Sequence, residues 1–375
     1  MTEKLVYVLP EYDPNTGEHL YYEYELLQEL NTEFDLKVVV ERGSEIEGMN
    51  TYIQKTSSSV FRLIETLLVL LSLRIRGYNN IYVHYSYYWG IIGGFVSFLP
   101  NTLSLYWNCG EMEEARDSPK SLAGIASQLK SYIGFRLSLY LTDVLVTGTD
   151  TMRHYYSDTY NIRLEQIEEL PNWVDRDRFD QLGSPEKIRN ELGLPSDQQV
   201  VLYLHRVAKH KGADRIPEIA DHLETKNKDI KLVVVGDGPY YKKLKRRLND
   251  SNLCDSVILK GKVPNNEAIK YYKASDIYIL PSRSEGFPRV LLESMAAKCP
   301  FVSTNVGGIR EISPEDHQKY IVEENNLDNF CDRITYLLEN TSERQFLADR
   351  GYDHVAQYSD KYVIQRLQEI IEHRK

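Results

Sequence analysis

The sequence predicts an α/β chain of two doubly wound domains, each a parallel sheet with helices on both faces. Two series of short apolar β runs alternate with segments of helical period, the pattern of parallel sheets covered by crossover helices. A polar stretch with scattered Gly and Pro, DQLGSPEKIRNELGLPSDQQ, separates the two series and reads as their join. At 375 residues the chain is long enough for two domains of ordinary size.

In the first series, Leu5 to Leu9 is a β run and Gly17 opens a helix whose Leu20, Tyr24, Leu27 and Leu30 recur at helical spacing. A strand from Leu36 to Val40 follows. The apolar stretch Val60 to Ile75 is too short for a membrane span and is broken by Arg62, Glu65 and Arg74, so a buried helix is expected. Then come a strand from Ile81 to His84, a helix through Ile91 to Phe98 and a strand from Leu103 to Trp107. A helix from Leu122 to Leu141 and a strand from Val144 to Val146 complete the series. The second series places strands at Val200 to Leu204, Leu232 to Val235, Val257 to Leu259, Ile277 to Leu280, Phe301 to Ser303 and Tyr320 to Val322. Three closing helices follow, the last over Asp360 to His373.

Composition narrows the function. With 42% apolar and 27% charged residues the chain is globular, and a net charge of −10 argues against a nucleic-acid partner, which wants a basic face. Cys109, Cys254, Cys299 and Cys331 form no C-x-x-C; that spacing suits a reducing compartment and supplies no zinc site. The N-terminus runs straight into a strand without a secretory apolar core, so a cytoplasmic protein is expected.

The stretch DIYILPSRSEGFPRVLLESMAAKCPFVSTNVGGIREI carries the clearest chemistry. It reads as strand, polar loop, helix, strand and glycine loop, a unit that places both loops at the carboxyl ends of parallel strands, where open α/β sheets bind ligands. Pro288 suits the first helical position. Glu293 falls in a helix apolar on nearly every side and so needs a specific partner. A ribose hydroxyl pair would satisfy it, and so would Arg289 or Arg310.

This string resembles the donor-site signature of retaining glycosyltransferases of family four, which have the GT-B fold. The signature is two glutamates separated by seven residues, then a strand and a Gly-Gly-x-x-Glu loop. Glu285, Glu293 and Gly307-Gly308-Ile309-Arg310-Glu311 fit it without gaps. The resemblance extends over the second series and, more loosely, the first. It implies two Rossmann-like domains facing a central cleft, with the last helix crossing back onto the first domain. The corresponding division is an acceptor domain over 1–175, a linker over 176–197, a nucleotide-sugar domain over 198–358 and the crossing helix over 359–375.

The resemblance also implies roles. Arg206 and Lys211 take the positions that hold the donor diphosphate, whose leaving oxygen gains negative charge and calls for fixed positive charge. Glu293 takes the ribose position, and Glu285, Gly286, Phe287, Gly307 and Gly308 border the donor sugar. Gly236 and Gly238 lie in the loop beside the nucleotide, and Val263 lies where the base packs. Gly17 matches half of a first-loop glycine pair. His205 stands where glycine is frequent and is expected to crowd its loop, and Trp173 replaces a usual glycine in the hinge sequence Pro171-Asn172. Asn108 occupies the position of a usual histidine; an amide can hydrogen-bond a sugar hydroxyl but cannot act as a base near neutrality. His84, alone at a strand end, reads as structural.

Members of this family usually need no bound metal, so no cofactor is expected beyond the nucleotide-sugar co-substrate, and Asp175-Arg176-Asp177 reads as hinge rather than as a metal motif. The expected acceptor is a glycan or a lipid-linked sugar. The segment Ser118 to Tyr140, with Lys120, Lys130 and Arg136 among apolar neighbours, would allow peripheral membrane contact. The alternatives are a non-catalytic nucleotide-sugar-binding partner subunit and a sugar-nucleotide epimerase or a phosphorylase on the same fold.

Overall fold

The computed structural model describes residues 3–13, 21–56, 58–110, 122–226 and 229–374. The chain divides into two compact units, Met1–Pro171 with Asp360–Lys375, and Asn172–Ser359.

The first unit is built on seven parallel strands: β1 (Glu3–Leu9), β2 (Phe34–Val40), β3 (Thr51–Ile53), β4 (Asn80–His84), β5 (Leu103–Trp107), β6 (Val144–Thr147) and β7 (Ile167–Glu169). Their spatial order is β3-β2-β1-β4-β5-β6-β7, so the winding reverses between β1 and β4. β4 and β5 are buried along their whole length, as expected of strands covered on both faces. Val6, Val8, Ile81, Val83 and Tyr106 pack with Trp89, Phe135, Tyr156 and Tyr160 into one core. The closing helix Asp360–His373 belongs to this unit, where Arg366 pairs with Glu168 at 2.9 Å.

The second unit holds β8 (Gln199–Leu204), β9 (Ile230–Val235), β10 (Val257–Gly261), β11 (Ile277–Leu280), β12 (Phe301–Thr304) and β13 (Ile321–Val322), again all parallel. Their order β10-β9-β8-β11-β12-β13 reverses between β8 and β11.

Several details differ from expectation. Residues 176–197, expected as a linker, group with the second unit and contain the helices Arg176–Asp180 and Pro185–Leu192. Their polarity is that of capped surface helices: Asp175 accepts from the Asp177 N–H at 2.9 Å, and Ser184 caps the second helix just before Pro185. The unit boundary accordingly falls after Pro171 rather than near residue 175. The edge strands β3 and β7, three residues each, and the helix Asp150–Tyr160 were not anticipated. Pro288 is the N-cap of the helix Arg289–Ala296, one position before the expected place. The proposed helix opening at Gly17 lies outside the described residues, and the helix is described over Tyr21–Glu33.

Candidate active site

The loops that leave β8 and β11 flank the winding reversal of the second sheet, and most of the expected donor residues lie on them or beside them. The loop after β8 is held from below by buried Tyr203, whose hydroxyl donates to the carbonyls of Arg206 (3.2 Å) and Lys211 (3.1 Å). Arg283 ties the loop after β11 to it, donating to Asp214 at 2.6 and 3.1 Å and to the Lys209 carbonyl at 2.7 Å. Arg215, largely buried, donates to the Pro281 carbonyl at 3.0 Å. Neither arginine was singled out in the sequence, where both look like ordinary loop cations.

Glu285 and Lys211 meet at the centre of these loops. Lys211 Nζ lies 2.8 Å from Glu285 Oε2 and donates to the Ser284 carbonyl at 3.1 Å. The other carboxylate oxygen accepts the Ser282 hydroxyl at 2.7 Å and faces His205 Nε2 at 3.4 Å. The backbone N–H of Arg206 donates to His205 Nδ1 at 2.7 Å, so that nitrogen is an acceptor and the ring proton sits on Nε2, toward Glu285. His205 therefore does not crowd the loop; it becomes a third partner of the carboxylate. Burial alone would push the Glu285 carboxyl up, but the Lys211 ammonium and the His205 hydrogen bond outweigh it and hold the group well below the usual carboxylate range. Arg206, next to His205 on the same loop, is exposed.

Backbone packing explains the glycines. Gly307 sits at φ +54°, and a Cβ there would lie 1.6 Å from the Glu285 carbonyl oxygen. The Gly308 N–H donates to the Gly286 carbonyl at 3.1 Å, so the two loops are laced directly behind Glu285. Gly236, at φ +127°, would drive a Cβ to 2.1 Å from the His205 carbonyl oxygen, and Gly238 presses its backbone against Val207. The Gly236 N–H donates at 2.7 Å to the carbonyl of Gly261, and half-buried Val263 follows two residues later. Phe287 is buried, its carbonyl accepting from Asn172 Nδ2 at 3.0 Å.

Glu293 is buried, as its apolar helix implied, and has protein partners: the Tyr272 hydroxyl donates at 3.1 Å and Arg289 Nε lies 3.8 Å away. Arg289 is held in turn by the Trp173 carbonyl at 3.0 Å, giving the hinge tryptophan a definite place. Of the two arginines considered for Glu293, Arg310 instead serves Gln318 and Glu323.

The remaining expected residues belong to the first unit. Asn108 follows β5, buried, with its Oδ1 accepting the Tyr156 hydroxyl at 2.7 Å. His84 is buried at the end of β4, 3.4 Å from Glu23. Gly17 lies outside the described residues.

Residues 184–354 match the sequence family described as glycosyl transferases group 1. TuaC of Bacillus subtilis (strain 168) is 32% identical over 187 residues, covering 50% of this chain and 45% of that one. The alpha-monoglucosyldiacylglycerol synthase of Streptococcus pneumoniae is 31% identical over 173 residues, covering 44% of this chain and 38% of the relative. The chain thus spans less than half the length of these curated relatives. The crystal structure of Anabaena HepE in complex with UDP superposes with a TM-score of 0.79 at 16% identity, covering 99% of this chain and all of that one. At that identity the likeness establishes the shared two-unit α/β fold, GT-B.

Proposed function

Residues 184–354 belong to the glycosyl transferases group 1 family, and from that premise we propose that the chain transfers a hexose-type sugar from a nucleoside-diphosphate donor to a hydroxyl acceptor, with retention at the anomeric carbon. The observation that carries this reading is the Lys211–Glu285 ion pair at the winding reversal of the second sheet, with exposed Arg206 on the same loop as Lys211. Transfer breaks a bond to a diphosphate, and the developing charge on the leaving oxygen is stabilised by cations already held in place. Lys211 is such a cation: Glu285 and the Ser284 carbonyl fix its ammonium. Arg206 adds a planar fork suited to phosphate oxygens. Glu293 offers a buried carboxylate to the ribose.

A thermal-shift panel of nucleotide sugars, followed by turnover of the best ligand, tests the reading. Transfer with the product anomer matching the donor is the expected result. Binding without turnover would leave the partner-subunit alternative, and interconversion of free nucleotide sugars would indicate an epimerase. Phosphorolysis without any nucleotide requirement would indicate a phosphorylase.

A second feature bears on the acceptor. The helices Ser59–Ile75, Tyr87–Val96 and Leu122–Leu141 pack side by side in the first unit. Phe61, Leu68, Ile75, Phe98, Leu129 and Leu137 stand exposed on or next to them, with Arg76 and Lys130 also exposed. No helix among the described residues is long and apolar enough to cross a membrane. The helix Leu122–Leu141 buries Phe135 and Leu139 while exposing Ile125, Leu129 and Ile133, so core packing and an apolar outer face coexist on it. An apolar face with scattered cations suits an anionic lipid interface, which supports a lipid-linked acceptor. Co-sedimentation with anionic vesicles that high salt weakens is the expected result; no binding at low salt would favour a free glycan acceptor.

A further inference from the structure

The helix Tyr241–Asp250 of the second unit reads YKKLKRRLND, an unbroken basic run in a chain whose net charge is −10. Its inner side packs in the ordinary way. Leu244 and Leu248 are buried in the core. Arg247, on the flank, is paired: its guanidinium lies 2.9 Å from Glu218 and donates to the Asp214 carbonyl at 2.6 Å. The outer side is not neutralised. Lys242, Lys243, Lys245 and Arg246 are all exposed there, together with Asn249 and a single acid, Asp250. Lys243 leans over the Tyr240 ring at 5.4 Å and Arg246 donates to the Lys242 carbonyl at 3.4 Å, but none of the four cations meets a carboxylate among the described residues.

This arrangement is unfavourable to the helix by itself. Lys242 and Lys245, Lys243 and Arg246, and Lys242 and Arg246 are three or four positions apart, where side chains are neighbours and like charges repel. A partner of opposite charge would offset that repulsion. The character of the face selects among anionic partners. Protein surfaces are held through aromatic or aliphatic anchors in buried pockets, and single-stranded nucleic acids through stacked aromatic rings. No exposed position of this helix is apolar or aromatic. Insertion into a bilayer also needs an apolar outer side. Mobile anionic headgroups need none of these, because they can gather under each cation; each Lys or Arg close to such a surface strengthens partitioning about fivefold.

We propose that the helix Tyr241–Asp250 docks the second unit onto an anionic phospholipid surface by charge alone, with Lys242, Lys243, Lys245 and Arg246 against the headgroups. The contact belongs to the second unit by itself. It requires neither the glycosyl-transfer reading nor the apolar face of the first unit.

Flotation of the full chain with vesicles of phosphatidylglycerol and phosphatidylcholine, compared with vesicles of phosphatidylcholine alone, tests this. The parent should prefer the anionic vesicles. The variant Lys242→Gln/Lys243→Gln/Lys245→Gln/Arg246→Gln should partition about 100-fold more weakly onto them at an ionic strength where the Debye length is about 10 Å, with a shallower salt dependence. It should melt no lower than the parent, since glutamine is a good helix former and the repulsion is gone. A control with the same net charge, Lys270→Gln/Lys298→Gln/Lys319→Gln/Arg350→Gln, removes cations that already face Glu191, Asp349, Glu343 and Asp316. Its partitioning should stay within about fivefold of the parent. Equal losses in the two variants would overturn the proposal, because net charge rather than this helix would then set the binding. Parent and helix variant binding alike would also overturn it and leave the vesicle contact to the first unit. So would a parent that shows no preference for anionic vesicles, or one that binds duplex DNA but not the vesicles, which would make a nucleic acid the partner of the helix.

Discussion

Replacing Lys211 by Met tests whether the second unit is built around a buried ion pair. The substitution keeps the length and apolar stem of the side chain but removes the ammonium 2.8 Å from Glu285 Oε2. At that separation the pair attracts by about 6 kcal/mol in an effective dielectric of 20, and much of this offsets the desolvation of both charges. Among the described residues the variant leaves the buried Glu285 carboxylate with Ser282 and His205 alone, and orphaning one member of such a pair costs about 3–5 kcal/mol. For a unit of this size the melting temperature should fall by roughly 6–20 °C. Calorimetry on the full chain reads this from the second-unit transition. The double variant Lys211→Met/Glu285→Gln should recover most of the loss, because no charge is left unpaired. The pH dependence has a definite sign. Glu285 titrates lower in the folded chain than in the unfolded one, so its contribution is complete above the unfolded pKa of about 4.3 and declines as pH falls toward the depressed folded value. The gap between parent and double variant should therefore narrow in acid. A Lys211→Met chain within about 0.5 kcal/mol of the parent, or a double variant as unstable as the single, would refute the reasoning.

Arg206→Ala should separate catalysis from stability: the side chain is exposed, so unfolding should shift by no more than about 0.5 kcal/mol. Turnover should fall about 100- to 1,000-fold if its guanidinium meets the leaving diphosphate. Gly307→Ala should displace the loop behind Glu285, since the new methyl would overlap the Glu285 carbonyl; weaker nucleotide-sugar binding by calorimetric titration, together with a lower melting temperature, is expected. Glu293→Gln should lower donor affinity by about 1.5–3 kcal/mol if the carboxylate holds the ribose; unchanged affinity would leave Glu293 as the structural partner of Tyr272 and Arg289.

Central strands were legible because burial on both faces writes them as unbroken apolar runs, and all six strands of the second sheet fall where those runs do. The edge strands β3 and β7 are too short to show a period. The helix Asp150–Tyr160 did carry signals: Thr149 caps it, accepting from the Met152 N–H at 3.2 Å, and Met152, Tyr156 and Tyr160 recur every fourth residue. Polar composition outweighed similar caps at Asp175 and Ser184, so two helices were read as a linker. Lys211 and Glu285 were each legible from their motifs, but their contact was not, because it depends on β8 and β11 being neighbours in the sheet. Nor was the Glu23–His84 contact, because its members lie on separate elements far apart in the chain and neither is conspicuous alone.

The geometry around Glu285 also bears on what that residue would do in the proposed transfer. A general acid must hold a proton at working pH, yet Lys211 and His205 keep this carboxyl ionised far into acid. A nucleophile must offer an oxygen to carbon, but Oε2 is committed to Lys211 while Oε1 accepts Ser282 and faces the His205 ring proton. Attack would require shedding partners that are themselves fixed by Tyr203 and by the Arg206 backbone. The arrangement is better suited to hold than to react: Glu285 fixes the ammonium and the imidazole in advance, so in the proposed transfer little reorganisation would be needed as charge develops on the diphosphate.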